Sequence, residues 1–295
     1  MAGRNIQSDL LSADWNGEWM RLQADRRRAD DPFEWDKRAR HFRPLETAPY
    51  ARDFMKLLVL KPGESVLDMG CGAGSIAIPL AQAGHPVIAA DFSPAMLGTL
   101  DAGIEYYGLE DLITPLELAW DGDWDLVGPV AKAVDVAFAS RSVTTNDLKG
   151  ALAKLDRTAR RRCAVTMVAN SSPRYDLHLM NAIGASVACS NGFVYAFNIL
   201  IQMGALPQVA YFESPRRDTF DSLEAGVADF SRMLEHGNED KFDRLRDYIA
   251  QHMIENPHAG EPGSKGVPQG RYMLDHVRKV RWAFIAWEPV SSGRP

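Results

Sequence analysis

One short run, residues 66–75, constrains the fold of this chain more than any other part of its 295 residues. Its sequence is Val-Leu-Asp-Met-Gly-Cys-Gly-Ala-Gly-Ser: an apolar stretch, then glycine at every second position, then the start of an amphipathic stretch. This pattern predicts a strand, a tight turn and a helix. Because glycine has no side chain, the backbone of such a turn can approach a ligand closely. We therefore predict a site for a nucleotide-like cofactor at the end of this strand.

From residue 64 onward, short apolar runs alternate with amphipathic stretches, which is typical of β-α-β units around a parallel sheet. A helix at 75–83 should end at Gly84, and the next should begin at Ser93 with Pro94 in its first turn. We expect an α/β fold, with a Rossmann-like, seven-stranded, mostly parallel sheet and helices on both faces. The predicted strands are 65–69, 86–90, 116–120, 134–139, 163–168, 209–213 and 281–287.

Three regions are predicted to add helices to this core. Residues 1–50 fit a helical N-terminal extension, and residues 51–295 form the main domain. Helical insertions are expected at about 170–207 and about 216–270, with helices at 175–185 and 192–203, two more within 221–253, and a Gly- and Pro-rich loop at 256–270. We expect the N-terminal helices and the two insertions together to cover the carboxyl ends of the strands and to determine substrate choice. Ordinary helices of the sheet's second layer are the alternative.

The glycine spacing separates two classes of cofactor site. The dinucleotide fingerprint is G-x-G-x-x-G, whereas this chain has G-x-G-x-G, which argues against an NAD-dependent oxidoreductase. Residues 66–74 resemble the first motif of class I S-adenosylmethionine-dependent methyltransferases. Residues 87–97, an apolar run that ends at Asp91 and continues as Phe-Ser-Pro, resemble the next motif of that family. The resemblance implies a methyl-transferring enzyme, a transferase, with S-adenosyl-L-methionine as its cofactor.

The resemblance also implies roles for single residues. A carboxylate such as Asp91, about 20 residues beyond the glycines, can accept both ribose hydroxyls of the cofactor. Asp68 would hold the amino end of the methionine moiety, while backbone N–H groups of the loop face its carboxylate. Phe92 and Met96 would flank the adenine, and Trp120 with Asp121 would read its amino group, although Asp121-Gly122-Asp123 is also typical of a turn. The predicted cofactor-binding residues are Asp68, Gly70, Cys71, Gly72, Gly74, Asp91, Phe92, Ser93, Met96, Trp120, Asp121 and Ser140.

The acceptor is expected beyond the fourth strand, where Ser140 and Arg141 follow its apolar run. Arg141 either orients an anionic substrate or pairs with a surface carboxylate, and the sequence leaves both open. Tyr195 and Trp35 are the other predicted substrate-binding residues. Methyl transfer depends on in-line positioning more than on an acid or base, so no catalytic residue is assigned. Candidates, should a base be needed, are Tyr175, His178, Tyr195 and Glu213.

Composition and net charge indicate which classes of partner this chain is expected to bind. A net charge of −6 and a pI near 5.7 disfavour a nucleic-acid substrate. Two basic runs, at 26–28 and 157–162, fit solvated helix faces better than phosphate sites. The three cysteines lack C-x-x-C spacing, and the run of alternate aspartates at 121–125 lacks the glycine and glutamate of a calcium loop, so we expect no disulfide framework and no metal.

The start of the chain has no apolar stretch of the signal-peptide kind, and no later run is long and apolar enough to span a bilayer. We therefore expect a soluble, cytoplasmic methyltransferase with a small-molecule substrate and no membrane partner. The alternatives are a methyltransferase that acts on RNA or protein, and a non-catalytic, cofactor-binding regulatory protein. The oligomeric state stays open, with a homodimer as one alternative.

Overall fold

The computed structural model describes residues 12–25, 49–125, 132–143, 145–187, 189–234, 238–263 and 267–290. Trp35 and the basic run at 26–28 lie outside these ranges. The described strands are β1 (Val66–Met69), β2 (Val87–Asp91), β3 (Ile113–Glu117), β4 (Val134–Ser140), β5 (Ala159–Val168), β6 (Gln208–Arg216), β7 (Thr219–Phe220), β8 (Met253–Glu255), β9 (Tyr272–Leu274) and β10 (Arg278–Trp287).

The described α-helices connect or flank these strands. None of them combines the length and hydrophobicity that a bilayer-spanning helix needs. The helices are α1 (Trp15–Asp25), α2 (Pro49–Leu58), α3 (Ala77–Gln82), α4 (Pro94–Tyr107), α5 (Leu148–Thr158), α6 (Leu177–Ile183), α7 (Phe193–Gln202), α8 (Leu223–Ser231) and α9 (Phe242–His252).

The large sheet has seven strands in the order β3-β2-β1-β4-β5-β10-β6, which confirms the predicted fold class. Its strands are parallel except β10, which pairs antiparallel with both β5 and β6. The carboxyl ends of β1, β2, β4 and β5 therefore share one edge, the place where ligands of open α/β sheets bind. Because β10 runs the other way, its first residue, Arg278, pairs with Arg216 at the end of β6. Both arginines lie at this carboxyl edge.

Successive side chains along each strand point to opposite faces of the sheet and so contribute to two hydrophobic cores, one on each face. In β4, Ala137 and Ala139 pack with residues of α1, α5 and α7, such as Trp19. Val136 and Phe138 point to the opposite face and pack with α2, α3 and α4. The period of two is the reason that one strand can supply both layers.

A smaller body, which we call the small subdomain, sits beyond β6. It comprises α6, α8, α9 and an antiparallel sheet in the order β7-β9-β8, around a separate apolar core. The sequence predicted the helices of this region but not its three strands, because strands of two or three residues carry no readable periodicity. Of the two helices predicted within 170–207, α6 joins this subdomain, whereas α7 packs on β5 and β10 as a second-layer helix.

Two local predictions were wrong. The third strand spans Ile113–Glu117 and not 116–120, because β3 is an edge strand that tolerates Pro115 and needs few apolar residues. Trp120 and Asp121 thus lie in the turn after β3 and not at its end. The basic residues Arg160, Arg161 and Arg162 belong to β5 and not to a helix face.

The packing on the α2 face generates a prediction about stability. Phe54 is fully buried, with ring centroids 5.2 Å from Phe138 and 5.5 Å from Phe284. Phe54→Ala should lower the free energy of unfolding by about 3–5 kcal/mol, because it removes buried area and leaves a cavity. Urea denaturation measures the change. Tyr106→Ala, at a 71% exposed aromatic, is the matched control, and equal losses in the two variants would refute the packing argument.

Candidate functional site

The loop after β1 is bound to the end of β2 through Asp91. The buried Asp91 carboxylate accepts the backbone N–H of Gly72 at 2.8 Å on Oδ2 and that of Ser93 at 3.0 Å on Oδ1. The N–H groups of Gly70 and Cys71 also donate to the Ala90 carbonyl, at 2.7 and 3.0 Å. One side chain thus fixes the glycine loop and the start of α4 against each other.

Two of the glycines are required by close packing. Gly70 has φ +77°, and a Cβ there would lie 2.2 Å from the Cβ of Ser142. Gly74 has φ +83°, and a Cβ there would lie 2.5 Å from Cδ1 of Leu100. A side chain at either position would meet both a strained backbone and a clash. The glycine pattern therefore sets the position of the loop relative to β4 and α4.

Asp68, the third residue of β1, is a buried carboxyl that lacks a partner on one oxygen. Its Oδ2 is fully buried and has no hydrogen bond. The pKa of Asp68 is raised to about 8, chiefly by burial and then by the nearby Asp91 charge, against the lowering effects of the Ala77 N–H and the Arg141 charge. A buried polar atom without a partner calls for a specific explanation, and a ligand cation would provide one.

Other predicted cofactor residues gather around this loop. Cys71 is buried, and burial with the charges of Asp68 and Asp91 raises the pKa of its thiol well above the usual value, so it stays a neutral wall residue. Ser93 caps α4 by accepting the Met96 N–H at 3.2 Å, and the buried Met96 packs on Ala73 beside the loop. Their contacts therefore form one continuous surface with the glycine loop.

Trp120, in the turn after β3, also lies beside the glycine loop. Its indole N–H donates to the Ser142 carbonyl at 2.8 Å, and Ser142 Oγ in turn donates to the Met69 carbonyl at the end of β1. Asp121, the next residue, is exposed to solvent, and Phe92 is half-buried. Trp120 thus lies beside the loop although it is not at a strand end.

Ser140 and Arg141 are held by a buried tyrosine that sequence analysis missed. Tyr50 Oη lies 2.7 Å from Ser140 Oγ and 2.6 Å from Thr166 Oγ1, and Thr166 Oγ1 also accepts the Arg141 N–H at 3.0 Å. The Arg141 guanidinium lies over the Tyr50 ring, 4.0 Å from its centroid, and 6.0 Å from that of Trp282. Burial raises the pKa of Tyr50, so its hydroxyl stays protonated.

A polar residue inside a buried apolar strand is the one sequence signal that would have pointed to this cluster. Thr166 interrupts the apolar run of β5 close to its carboxyl end, and it is only 1% exposed. Tyr50 carries no such signal, because Tyr in the first turn of a helix is common in any packed layer. Its role depends on α2 packing against β6 and β10, a contact that only the tertiary structure provides.

The two remaining substrate-binding predictions fall elsewhere. Tyr195, at the start of α7, packs between Trp15 and Trp19, with ring centroids 6.0 and 5.8 Å away. Trp35 lies outside the described residues. The Tyr195 ring thus contacts α1, and its role in substrate binding stays a prediction. In the described ranges, no group of three or more His, Cys, Asp and Glu side chains is arranged to hold a metal ion.

Comparison with known proteins identifies the family of this site. The profile of a family described as a methyltransferase domain matches residues 66–162. An uncharacterized protein of Haemophilus influenzae is 31% identical over 224 residues, which are 72% of this chain and 81% of that protein. The chain belongs to the class I S-adenosylmethionine-dependent methyltransferases.

Solved structures share the fold of this methyltransferase. The YcgJ protein of Bacillus subtilis is 13% identical with a TM-score of 0.50, over 82% of this chain and 99% of that one. Geranyl diphosphate C-methyltransferase of Streptomyces coelicolor, solved with geranyl diphosphate and S-adenosyl-L-homocysteine, is 15% identical with a TM-score of 0.45, over 82% and 78% of the two chains. At 13% identity, the likeness to YcgJ is one of fold.

The buried hydroxyl cluster of the methyltransferase generates a prediction. Tyr50→Phe should lower the free energy of unfolding by about 1–3 kcal/mol, because it removes the shared partner of two buried hydroxyls. Combining it with Ser140→Ala in a double-mutant cycle, followed by urea denaturation, measures the coupling between the two side chains. Tyr106→Phe is the control. Strictly additive effects of Tyr50→Phe and Ser140→Ala would contradict the bond between them.

Asp68 should make the stability of the methyltransferase depend on pH. Because its folded-state pKa of about 8 lies above that of an unfolded aspartate, the folded protein keeps a proton that the unfolded chain has released. The free energy of unfolding should therefore fall between about pH 4 and pH 8, by up to about 1.4 kcal/mol per pH unit. Asp68→Asn does not titrate, so its stability relative to wild type should grow with pH in that window.

Urea denaturation over a pH series, without cofactor, measures this difference. Asp111→Asn, at an exposed aspartate, is the matched control and should show no such trend. A pH-independent difference between Asp68→Asn and wild type would show that Asp68 is ionised throughout.

Proposed function

We propose that this methyltransferase transfers the methyl group of S-adenosylmethionine to a small-molecule acceptor. The observation that carries the proposal is the pair of buried carboxylates at neighbouring strand ends: Asp91, bonded to the glycine loop, and Asp68, with an oxygen that has no partner. A molecule with ribose hydroxyls and an ammonium group complements this pair.

The chain's own residues fit such a cofactor. A carboxylate has about four acceptor positions, so Asp91 can accept ribose hydroxyls in addition to backbone N–H groups. Asp68 Oδ2 would accept the ammonium, whose charge would lower the Asp68 pKa and offset the repulsion from Asp91. Met96 and Phe92 would form the wall beside the adenine, with Trp120 and Asp121 at its edge.

When bound, the cofactor supplies a sulfonium methyl that an acceptor atom attacks in line. The protein would act by holding the acceptor in that line, since positioning contributes several kcal/mol to such a step. At the end of β4, the Tyr50–Ser140–Thr166 hydrogen bonds fix the backbone that presents Arg141. The buried rings of Tyr50 and Trp282 pack against each other beneath Arg141 and support it from below.

The charge distribution supports a small acceptor over RNA or an acidic protein surface. Arg160 and Arg161, the clearest basic run, lie at the start of β5, at the opposite edge of the sheet from the cofactor loop. Arg160 pairs with Asp135 at 2.8 Å, and Arg161 pairs with Glu64. Arg160 and Arg161 are therefore already paired and far from the chemistry, so this run offers no phosphate-binding surface beside the site.

Cofactor binding tests the first half of this proposal. S-adenosylmethionine and S-adenosylhomocysteine should bind in calorimetry, and NAD should not. Asp91→Ala should weaken S-adenosylhomocysteine binding by about 2–4 kcal/mol, because the ribose hydroxyls lose a charge-assisted acceptor. Asp101→Ala, at an exposed aspartate on α4, is the control, and thermal melting checks that each variant is folded. NAD binding without a response to either sulfur compound would contradict the proposal.

Methyl transfer tests the second half. Cofactor with a labelled methyl group is incubated with the protein and, separately, with a small-molecule extract, total RNA or total protein. Label in the small-molecule fraction alone supports the proposal. Label in RNA or protein favours a macromolecular acceptor, and cofactor binding with no transfer to any fraction favours a regulatory role.

A further inference from the structure

A cavity lies where the carboxyl edge of the large sheet meets the small subdomain. It is a small recess that is partly open to solvent. One wall carries Arg216, the last residue of β6, and Arg278, the first residue of β10. The opposite wall comes from the small subdomain and includes Phe230 and Leu274. We call this space the arginine cavity; its polar lining is Asp176, Arg216, Arg217, Asp218, His276 and Arg278.

The acidic groups of the arginine cavity are committed to other partners. Asp218 pairs with Arg278, at 3.1 Å from its Nε and 3.3 Å from its Nη2. Asp176 accepts the His178 and Leu179 N–H groups on Oδ1 and lies 2.8 Å from His276 Nε2 through Oδ2. Neither carboxylate is left to neutralise a second arginine.

Arg216 and Arg217 form no ion pair with any described carboxylate. Arg216 is half-buried and donates to the Pro173 carbonyl at 3.2 Å, and Arg217 lies 3.8 Å from the Met273 sulfur. Burial lowers the pKa of Arg216, and the charges of Arg278 and Arg141 lower it further, against the opposing effect of Asp218. Arginine stays charged in proteins, so this arrangement has a free-energy cost that an anion in the cavity would offset.

Arg141 connects the arginine cavity with the cofactor loop. Its charge acts on Arg216 on one side and on Asp68 on the other. Its backbone has φ +62°, a conformation that is costly for a long side chain, and the Thr166 hydroxyl holds it there through the Arg141 N–H. The exposed guanidinium is thereby stacked on Tyr50, and Arg141 forms no ion pair with a described carboxylate.

We propose that the arginine cavity binds an oxyanion of the methyl acceptor, a carboxylate or a phosphate, through Arg216 and Arg217. Arg141 lies between that anion and the transferred methyl group. One guanidinium can donate two parallel N–H bonds to a carboxylate or to a phosphate. The two oxyanions therefore share the chemistry by which an arginine recognises them. This inference rests on the proposed function and adds the chemical class of the acceptor to it.

Anion titration of the full chain tests the inference. Inorganic phosphate and acetate are added at constant ionic strength, with potassium chloride as the balancing salt, and the melting temperature is recorded. One or both anions should raise it in a saturable manner, and the stronger one indicates which oxyanion the acceptor carries. Arg216→Gln should weaken the apparent affinity at least tenfold. Arg246→Gln, an ion-paired arginine of the same subdomain, is the matched control and should leave it unchanged.

Calorimetry with S-adenosylhomocysteine on every variant separates this inference from the proposed function. We expect that binding to change less than twofold in Arg216→Gln. No saturable response to either anion in protein that binds S-adenosylhomocysteine would overturn the oxyanion site and leave methyl transfer intact. An equal loss in Arg246→Gln would also overturn it. If Arg216→Gln does not fold, the exposed Arg217→Gln decides: a tenfold loss supports the site, and no loss overturns it.

Discussion

The hydrogen bonds from Gly72 and Ser93 to the Asp91 carboxylate are the constraint on which the functional edge of this protein depends. They join the turn after β1 to the turn after β2, so that the two loops hold one geometry. The Gly70 and Gly74 contacts then set that geometry against β4 and α4. Loops at a sheet edge usually vary more than the strands they follow. Here the Asp91 carboxylate and the close contacts at Gly70 and Gly74 hold both loops in fixed positions relative to the strands.

The charges at this edge are arranged in two unequal halves. Around the glycine loop two acidic side chains, Asp68 and Asp91, are buried together, and burial with the Asp91 charge raises the pKa of Asp68 to about 8, so that a cation at the site would be needed to stabilise both as carboxylates. Around the arginine cavity the excess is positive, because Asp218 pairs with Arg278 and Asp176 with His276, whereas Arg216 and Arg217 have no carboxylate partner among the described residues. Arg141 stands between the halves and acts on both. A cationic cofactor on one side and an anionic acceptor on the other would satisfy both imbalances, which buried like charges otherwise leave uncompensated.

The cap of the site was only partly readable from the sequence. The small subdomain takes its helices from both predicted insertions, and a three-stranded sheet that the sequence did not predict completes it. Helix α7 belongs to the sheet's own second layer, since its apolar face meets β5 and β10. An amphipathic pattern indicates that a helix has a buried face, but it does not indicate which neighbouring element packs against that face.

The sequence by itself determined the cofactor end of this protein: the strand-turn-helix of β1, the acidic end of β2 and the Ser93 cap were all encoded locally. Such features depend on residues within about one turn of each other, and glycine, proline and capping side chains mark them directly. Only the tertiary structure decided the acceptor end. Tyr50, Thr166, Arg141 and Arg216 come from four separated segments, and the antiparallel entry of β10 brings Arg278 beside them. Contacts between distant segments arise from the packing of whole layers, for which a single sequence carries no local mark.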